Sequence, residues 1–520
     1  MAKVYTGTYG SGTTPENSLN TALLQYPEIA RTLIQQYPRY SATYLLERTG
    51  RFASEKVLGD NSFEWKVMGR YNTPSYSAGW ISTDGSSFVA ADSNGGAAAA
   101  TSGAFNNADA NGDVVYIIAD GESYTSNFLN KYDMIRFQSG AVGLIMTDLT
   151  DSGSISASGT GVAVTSASKI VKVEMIDGAA KPLQVTDLSS GAIFASIGSA
   201  FPNGSLGSDV GENYVFPSTY KNYLTTMRKK ISVTGKDITD IMWIENNGHR
   251  LWYFTKEQMM MDEYMYQQEL QRWYGRKSVH ESGVSRPAGL TSTLTGAAVG
   301  GQTNNIITGD GLLAQIDSSN QASYTAGALT EEIITEFLAK LSLNATNAEG
   351  NEWVVFTGTE GRLAFHKAMK DLLVAPSGAM TGGSFAGVGG DVALGANFTS
   401  YEALGNKLTV AYCPVFDDNN LHSSTSGTNA FGDNRLKESA KMVFLDFGKT
   451  SGVSNIELVT KGAEGTNRSF IKKYVAGMIN PYDQSSMMAA NADDKFEAHV
   501  LSESGIIVRN PLSCGILSAS

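Results

Sequence analysis

The sequence predicts an α+β fold, and three observations predict it. One stretch, Lys256 to Tyr274, carries helical periodicity together with signals for both of its ends. Short apolar runs bounded by Gly, Ser, Asn and Asp recur along the rest of the chain and read as strands. Between residues 330 and 375 strand and helix patterns alternate. Composition agrees, since 55 of 520 residues are Gly and 17% are charged, against roughly 7% and 25% in an average soluble domain. Such a chain makes many turns and shows surfaces suited to other protein rather than to water.

Residues 1–51 read as an arm. A Gly/Thr/Ser leader from Thr6 to Thr14 precedes Leu19, Leu23, Leu24, Ile29, Leu33 and Ile34 at helical spacing, interrupted by Pro27 and closed by Pro38. Two helices that short need another surface to cover them, in their own domain or in a neighbour. Residues 52–216 are β-like. Phe63 to Met68 alternates, while Val114 to Ile118 and Gly143 to Met146 are compact runs suited to buried strands. Ser93 to Gly112 is a low-complexity loop of about twenty residues, a length rare inside compact domains. Strands divided by Gly and Asp turns suggest a small sandwich or barrel inserted into a longer excursion.

The helix at Lys256 to Tyr274 is the clearest element. Thr255 and Gln258 make a capping box, Phe254 and Met259 a hydrophobic staple, and Gly275 a left-handed cap. Glu257, Asp262 and Glu263 lie early, Arg272, Arg276 and Lys277 late, which complements the helix dipole. Met259, Tyr266, Leu270 and Trp273 share a stripe that predicts packing on the subunit's own core. Met260, Met261, Tyr264 and Met265 form a second apolar face on the first half alone, and these four are the expected assembly contacts. A helix apolar on two sides is buried in its own domain or gripped by two partners.

An open segment, Ser278 to Thr325, includes the run Gly309 to Ile316. An amphipathic helix follows at Glu331 to Leu341, then a strand at Trp353 to Phe356 and a helix at Glu360 to Leu373 before Pro376. After the glycine-rich stretch 377–395, strands are expected at Leu408 to Tyr412, Met442 to Phe447 and Phe470 to Met478. The end reads as a hairpin, Phe496 to Leu501 and Ile506 to Arg509, turning through Ser502 to Gly505.

Chemistry is conspicuous by what fails. The net charge of -12 argues against wrapping nucleic acid by bulk charge, and the longest basic run, Arg228-Lys229-Lys230, reads as a solvated face. No apolar run is long enough for a membrane helix, and MAKVYTGTYGSG has no signal-peptide character. Cys413 and Cys514 make no disulfide framework, which fits a reducing compartment. Gly448-Lys449-Thr450 lacks the opening glycine of a phosphate loop, with Val443 in its place. Glu360 would repel a phosphate at the Gly358 to Arg362 turn, where Thr359 reads as an N-cap. Gly382-Gly383-Ser384-Phe385-Ala386 misses a nucleophile elbow, Asp109 to Asp113 misses a calcium loop, and the five histidines show no zinc spacing. No enzymatic activity, metal or cofactor is expected.

Several phrases carry a family resemblance: GRFASEKVLGDNSFEWKVMGR from Gly50, LWYFTKEQMMMDEYMYQQELQRWYGRKS from Leu251, GDGLLAQI from Gly309, EWVVFTGTEGRLAFHKAMKDLL from Glu352 and ESGIIVRNPLSCGIL from Glu503. With the order of parts, they resemble tailed-bacteriophage major capsid proteins, most of all those of crAss-like phages. The resemblance implies a Hong Kong 97-type fold with an N-terminal arm at 1–51 and an extended E-loop with an inserted β-rich domain at 52–216. It further implies a peripheral domain with the spine helix at 217–329, an axial domain at 330–465 and a return to the peripheral domain at 466–520. It also implies self-assembly through hexamers and pentamers into an icosahedral shell around double-stranded DNA. Scaffold, portal and decoration proteins would be partners, DNA contact would be weak and non-specific, and no membrane would be involved. The protein would reside in the virion after assembly in the host bacterial cytoplasm. The residues themselves leave open a tail sheath or tube subunit and a secreted β-rich carbohydrate-active enzyme.

Overall fold

Strand pairing divides the chain into two units, Met68–Ser218 and Met1–Val67 with Thr219–Ser520. The structure, a computed structural model, describes residues 43, 53–57, 61–68, 75–83, 88–90, 114–119, 129–149, 169–176, 187, 192–207, 216–235, 241–246, 249–279, 290–291, 305–343, 352–373, 400–418, 421–428, 434–450, 453–463, 466–482 and 489–520. The expected arm apart from Thr43, the loop 93–112 and the stretch 377–395 fall outside those residues.

In the unit Met68–Ser218 the strands form one antiparallel sheet that closes on itself. Ser75–Thr83, Val114–Ala119, Lys169–Met175, Val142–Leu149, Asp133–Phe137 and Ile193–Ser199 pair in that order, and Ser75 and Tyr76 return to pair with Phe194 and Ile193. Phe88–Ala90 hangs on Ser75–Thr83. Closure leaves those six strands no open edge. Alternation fills the interior: Asp133, Ile135 and Phe137 point inward along one strand, and Ile117, Ile145, Val171, Val173 and Phe194 complete the core. The insertion is thus a small barrel.

The other unit holds two larger sheets. One has the path Ala53–Val57, Ile456–Ala463, Lys495–Val508, Thr225–Thr234, with Ile471–Ala476 also paired to Lys495–Val508. The second runs Gln321–Tyr324, Gly515–Ala519, Met442–Asp446, Glu352–Thr357, Asn406–Tyr412, Ser400–Ala403. Helices α1 (Trp252–Tyr274), α2 (Glu331–Ser342) and α3 (Thr359–Leu373) pack on them. Ile334, Phe337, Leu338 and Leu341 of α2, with Phe365 and Met369 of α3, cover one face of the second sheet over Trp353, Val355 and Phe444. The opposite face buries Val354, Phe356, Val443 and Leu445 with Trp273 of α1 and with Ile456, Leu458, Ile506 and Val508 of the first sheet. One core therefore joins both sheets.

Several expectations are corrected. The C-terminal hairpin is a single strand, Lys495–Val508, because its turn-like residues serve other ends. Ser502 accepts from Tyr264, Glu503 takes Arg468 at 2.6 Å, and Gly505 lies where a Cβ would come 3.0 Å from the Phe63 ring. Ile456–Ala463, expected in the axial domain, pairs in the first sheet, while Gln321–Tyr324 and Gly515–Ala519 pair in the second, so the cuts at 329 and 465 do not follow the sheets. Helix α1 starts at Trp252, since Tyr253 packs on Phe496 and Phe254 on Tyr482, and Thr255 lies inside it rather than capping it. Gly275 is not left-handed; its value is close approach, with Gly311 donating to its carbonyl at 3.0 Å.

Candidate assembly surface

Helix α1 crosses the first sheet over Thr225–Thr234, Lys495–Val508 and Ile471–Ala476. Strand alternation sends Val500 and Ser502 toward it along with Met227 and Ile231. Met260 and Tyr264 close over Val500 and are 3% and 1% exposed. The Tyr264 hydroxyl donates to Ser502 Oγ beneath the helix. This corrects half of the expected contact set: Met260 and Tyr264 are walled in by the protein's own sheet and have no surface to offer a neighbour. Met261 and Met265 are half-buried. They follow Glu257 at i+4 and i+8, and Met261 packs against the cluster of Met260, Tyr264 and Val500.

The two ends of α1 are held differently. At its start Glu257, 5% exposed, accepts from Lys472, Tyr482 and Tyr474, the last at 2.9 Å. Burial pushes its carboxyl up, but those donors outweigh burial and hold it below the ordinary carboxylate range. Burial, with the same carboxylate beside them, pushes Tyr253 and Tyr482 up. Beside this cluster Phe470, Tyr474, Met478 and Tyr482 are 42–68% exposed. At the other end Trp273 is buried between Phe356 and Phe416, edge-on to both. Its Nε1 donates to Glu269 at 2.8 Å, and the same carboxylate receives the Thr43 N–H at 3.1 Å. Arg272 Nη1 donates to Thr43 Oγ1 at 3.1 Å, so the one described residue of the arm is pinned to α1. Tyr266 and Leu270 join the Trp273 core as expected, whereas Met259, 39% exposed, does not.

Among the described residues, the sites that could hold a ligand are closed by the protein itself. A small cleft beside α1 is lined by Thr225, Gln271, Gly309 and Asp310. Thr225 Oγ1 accepts from Gly309 N at 2.8 Å and from Gln271 Nε2 at 3.2 Å, which makes the cleft a joint between segments. The start of α3 carries a carboxylate already: Thr359 N donates to Asp417 at 3.0 Å and Glu360 N to Ser439 Oγ at 3.0 Å. Asp417 therefore caps the helix in place of Thr359, which is its first residue. Gly448 N turns back to Asp446 Oδ1 at 2.8 Å. Cys413 and Cys514 are free and buried, and burial pushes the Cys514 thiol up to about 12. No group of three or more metal-ligating side chains occurs among the described residues, and no helix among them is long and apolar enough to cross a membrane.

What the geometry offers is surface, and the family accounts for it. A family model, that of the Crassvirus major capsid protein, matches residues 163–520. The chain belongs to that family. Its role is structural: a major capsid protein's copies assemble into a shell, and its place is the virion. No curated protein sequence matches it. Among solved structures it has faint likeness to Microbacterium phage Oxtober96, at 12% identity and TM-score 0.36, covering 97% of this chain and 98% of that one. The capsid of Cyanophage P-SCSP1u follows at 11% identity and TM-score 0.31, covering 62% and 80%. An encapsulin complex from Synechococcus elongatus PCC 7942 stands at 10% and 0.31, covering 58% and 77%. Membership rests on the family model and not on these.

For a capsid subunit the informative residues are then those that fasten α1 and those it leaves outside. Sequence reasoning missed Glu257, Glu269 and Asp417. Each is a carboxylate bound by residues far away in sequence, and no local spacing announces that. A carboxylate on an otherwise apolar helix stripe, as Glu269 is beside Leu270 and Trp273, was the available signal.

Proposed function

We propose that the chain is the building block of an icosahedral shell of hexamers and pentamers enclosing double-stranded DNA, with no enzymatic activity. The match to a capsid family over residues 163–520 carries the reading and favours it over a sheath, a tube or a secreted enzyme. In this reading α1 is the spine of the peripheral domain. The strands Ala53–Val57, Thr225–Thr234, Ile456–Ala463 and Lys495–Val508 form its sheet, and the sheet around Glu352–Thr357 forms the axial domain. The barrel is the domain inserted in the E-loop, and residues 1–51 are the arm. Scaffold, portal and decoration proteins complete the partners, and assembly takes place in the host bacterial cytoplasm.

Met261 and Met265 contribute to contacts between copies, since they lie on the flank of α1 that starts over the aromatic edge at Tyr474 and Tyr482. Negative-stain images of the full-length chain, with and without scaffold, test the function: closed particles are expected, and a persistent monomer or open tubes would overturn it. Changing Met261 and Met265 to Gln should reduce particle yield more than thermal stability. Equal loss of both would make the two methionines ordinary core.

A further inference from the structure

The basic run Arg228-Lys229-Lys230 and its neighbour Lys472-Lys473 lie in strands on either side of Lys495–Val508. Alternation splits them between the two faces of the sheet. On the helix side each lysine has a carboxylate, Lys229 with Glu263 and Lys472 with Glu257. On the other face Arg228 and Lys473 are exposed, with no ion pair among the described residues, and Lys230, 61% exposed, reaches only Glu497 at 3.8 Å. Register sets Lys230, His499 and Lys473 side by side across three strands. Glu497 and Glu503 share this face, and each has a nearer cation, Lys495 at 3.3 Å and Arg468 at 2.6 Å. Lys495 also meets Asp493 at 3.1 Å, so Glu497 is shared between Lys495 and Lys230. Arg228 and Lys473 remain without an ion pair among the described residues, in a chain whose net charge is -12.

We propose that the cationic part of this face, around Arg228, Lys230 and Lys473, contacts the phosphate backbone of the nucleic acid held inside the shell. Aligned cations disfavour one another across a sheet unless an anion lies over them. Two residues along a strand separate Arg228 from Lys230 by about 7 Å, and two strand gaps separate Lys230 from Lys473 by about 10 Å. Each can then meet a different phosphate. Contacts of this kind carry no base information. A second protein copy suits the face poorly: interface centres favour aromatic anchors and avoid lysine, whereas Tyr474 and Phe496 point to the helix side. The proposal rests on the reading of the protein as a shell around nucleic acid.

The test uses the full-length chain with Arg228→Gln, Lys230→Gln and Lys473→Gln combined, and Lys473→Gln alone in case the triple variant fails to fold. Binding of a fluorescent 30-base-pair duplex is followed against salt, and particles are imaged in parallel. Each phosphate contact contributes about 0.9 to the slope of log K against log salt. The slope should therefore fall by about 0.9 for Lys473→Gln and about 2.7 for the triple variant, with particles formed as in the wild type. An unchanged slope, or a wild-type chain that shows no salt-dependent binding, overturns the proposal. Lost assembly with unchanged duplex binding also overturns it and makes the face a contact between copies. Should the wild-type chain form no shells, the shell function fails, and the duplex slopes still decide the surface.

Discussion

The two sheets of the larger unit are built to opposite rules. In the second sheet, Trp353 to Thr357 and Met442 to Asp446 are buried at five successive positions each, with apolar cores on both sides. In the first, Lys495–Val508 alternates between buried and half-buried from Lys495 to Ser502, where α1 lies on one face. The other face meets a core only at the far end of the strand, where Ile507 and Val459 pack with Phe63, Trp65 and Leu224. A sheet buried on both faces is complete by itself and serves as a frame. A stretch of sheet covered once, as over Lys495–Ser502, keeps a face for something outside the subunit. In a protein whose function is contact, the second kind is where function has room.

The largest expected effect breaks the frame where the two sheets meet. Trp273 stands in the core shared by both, so Trp273→Ala should cost about 3–5 kcal/mol, read from the urea midpoint of the unassembled subunit. A loss below about 1 kcal/mol would mean that the sheets hold together without α1, and the contrast between frame and surface would lose its hinge.

Next comes the start of α1, where the half-covered sheet is fastened. Glu257→Gln weakens bonds to Lys472, Tyr474 and Tyr482, worth about 1.5–3 kcal/mol for hydrogen bonds to a charged group. The sign with pH follows from the lowered carboxyl. Its stabilisation is whole above the unfolded pKa of about 4.3 and is lost as pH falls through the lower folded value. Thermal unfolding should then show the gap between wild type and variant closing as the buffer is taken below about pH 4. A gap that stays constant would show that shape, rather than charge, fastens this end.

How legible each sheet was follows from the same contrast. Strands buried on both faces write continuous apolar runs, and Trp353-Val354-Val355-Phe356 and Met442 to Phe447 were readable for that reason. The helices over them were readable because one stripe is apolar. The half-covered sheet was read less well. Ser502-Glu503-Ser504-Gly505 looks like a turn, since nothing local shows that Tyr264, Arg468 and Phe63 wait for those residues. The two apolar faces of α1 were visible, but which of them met the protein's own sheet was not. Met260 and Tyr264 were assigned outward because sequence cannot tell a sheet of the same chain from a neighbour's. Met259 completed the helical period yet lies past the end of the core it was assigned to. The basic run reads as solvated along the sequence, and only strand alternation separates Lys229, which meets Glu263, from Arg228 and Lys230 on the opposite face.

The smallest expected effect sharpens the comparison within one strand. Lys472 and Lys473 are adjacent, and the sheet sends them to opposite faces. Lys472 is paired with the buried Glu257; burial lowers its ammonium pKa, but the hydrogen bonds it makes to Glu257 and Tyr474 outweigh burial and raise it. Lys472→Gln should therefore destabilise the subunit in the same direction as Glu257→Gln, and the double variant should lose less than the sum of the two, because both remove one interaction. Lys473→Gln touches no partner among the described residues, and its unfolding midpoint should stay within about 0.5 kcal/mol of the wild type. Chemical denaturation of the four proteins measures both statements at once. If Lys473→Gln proved as costly as Lys472→Gln, the second face would be part of the subunit's own structure, and its cations would no longer be free for a phosphate backbone.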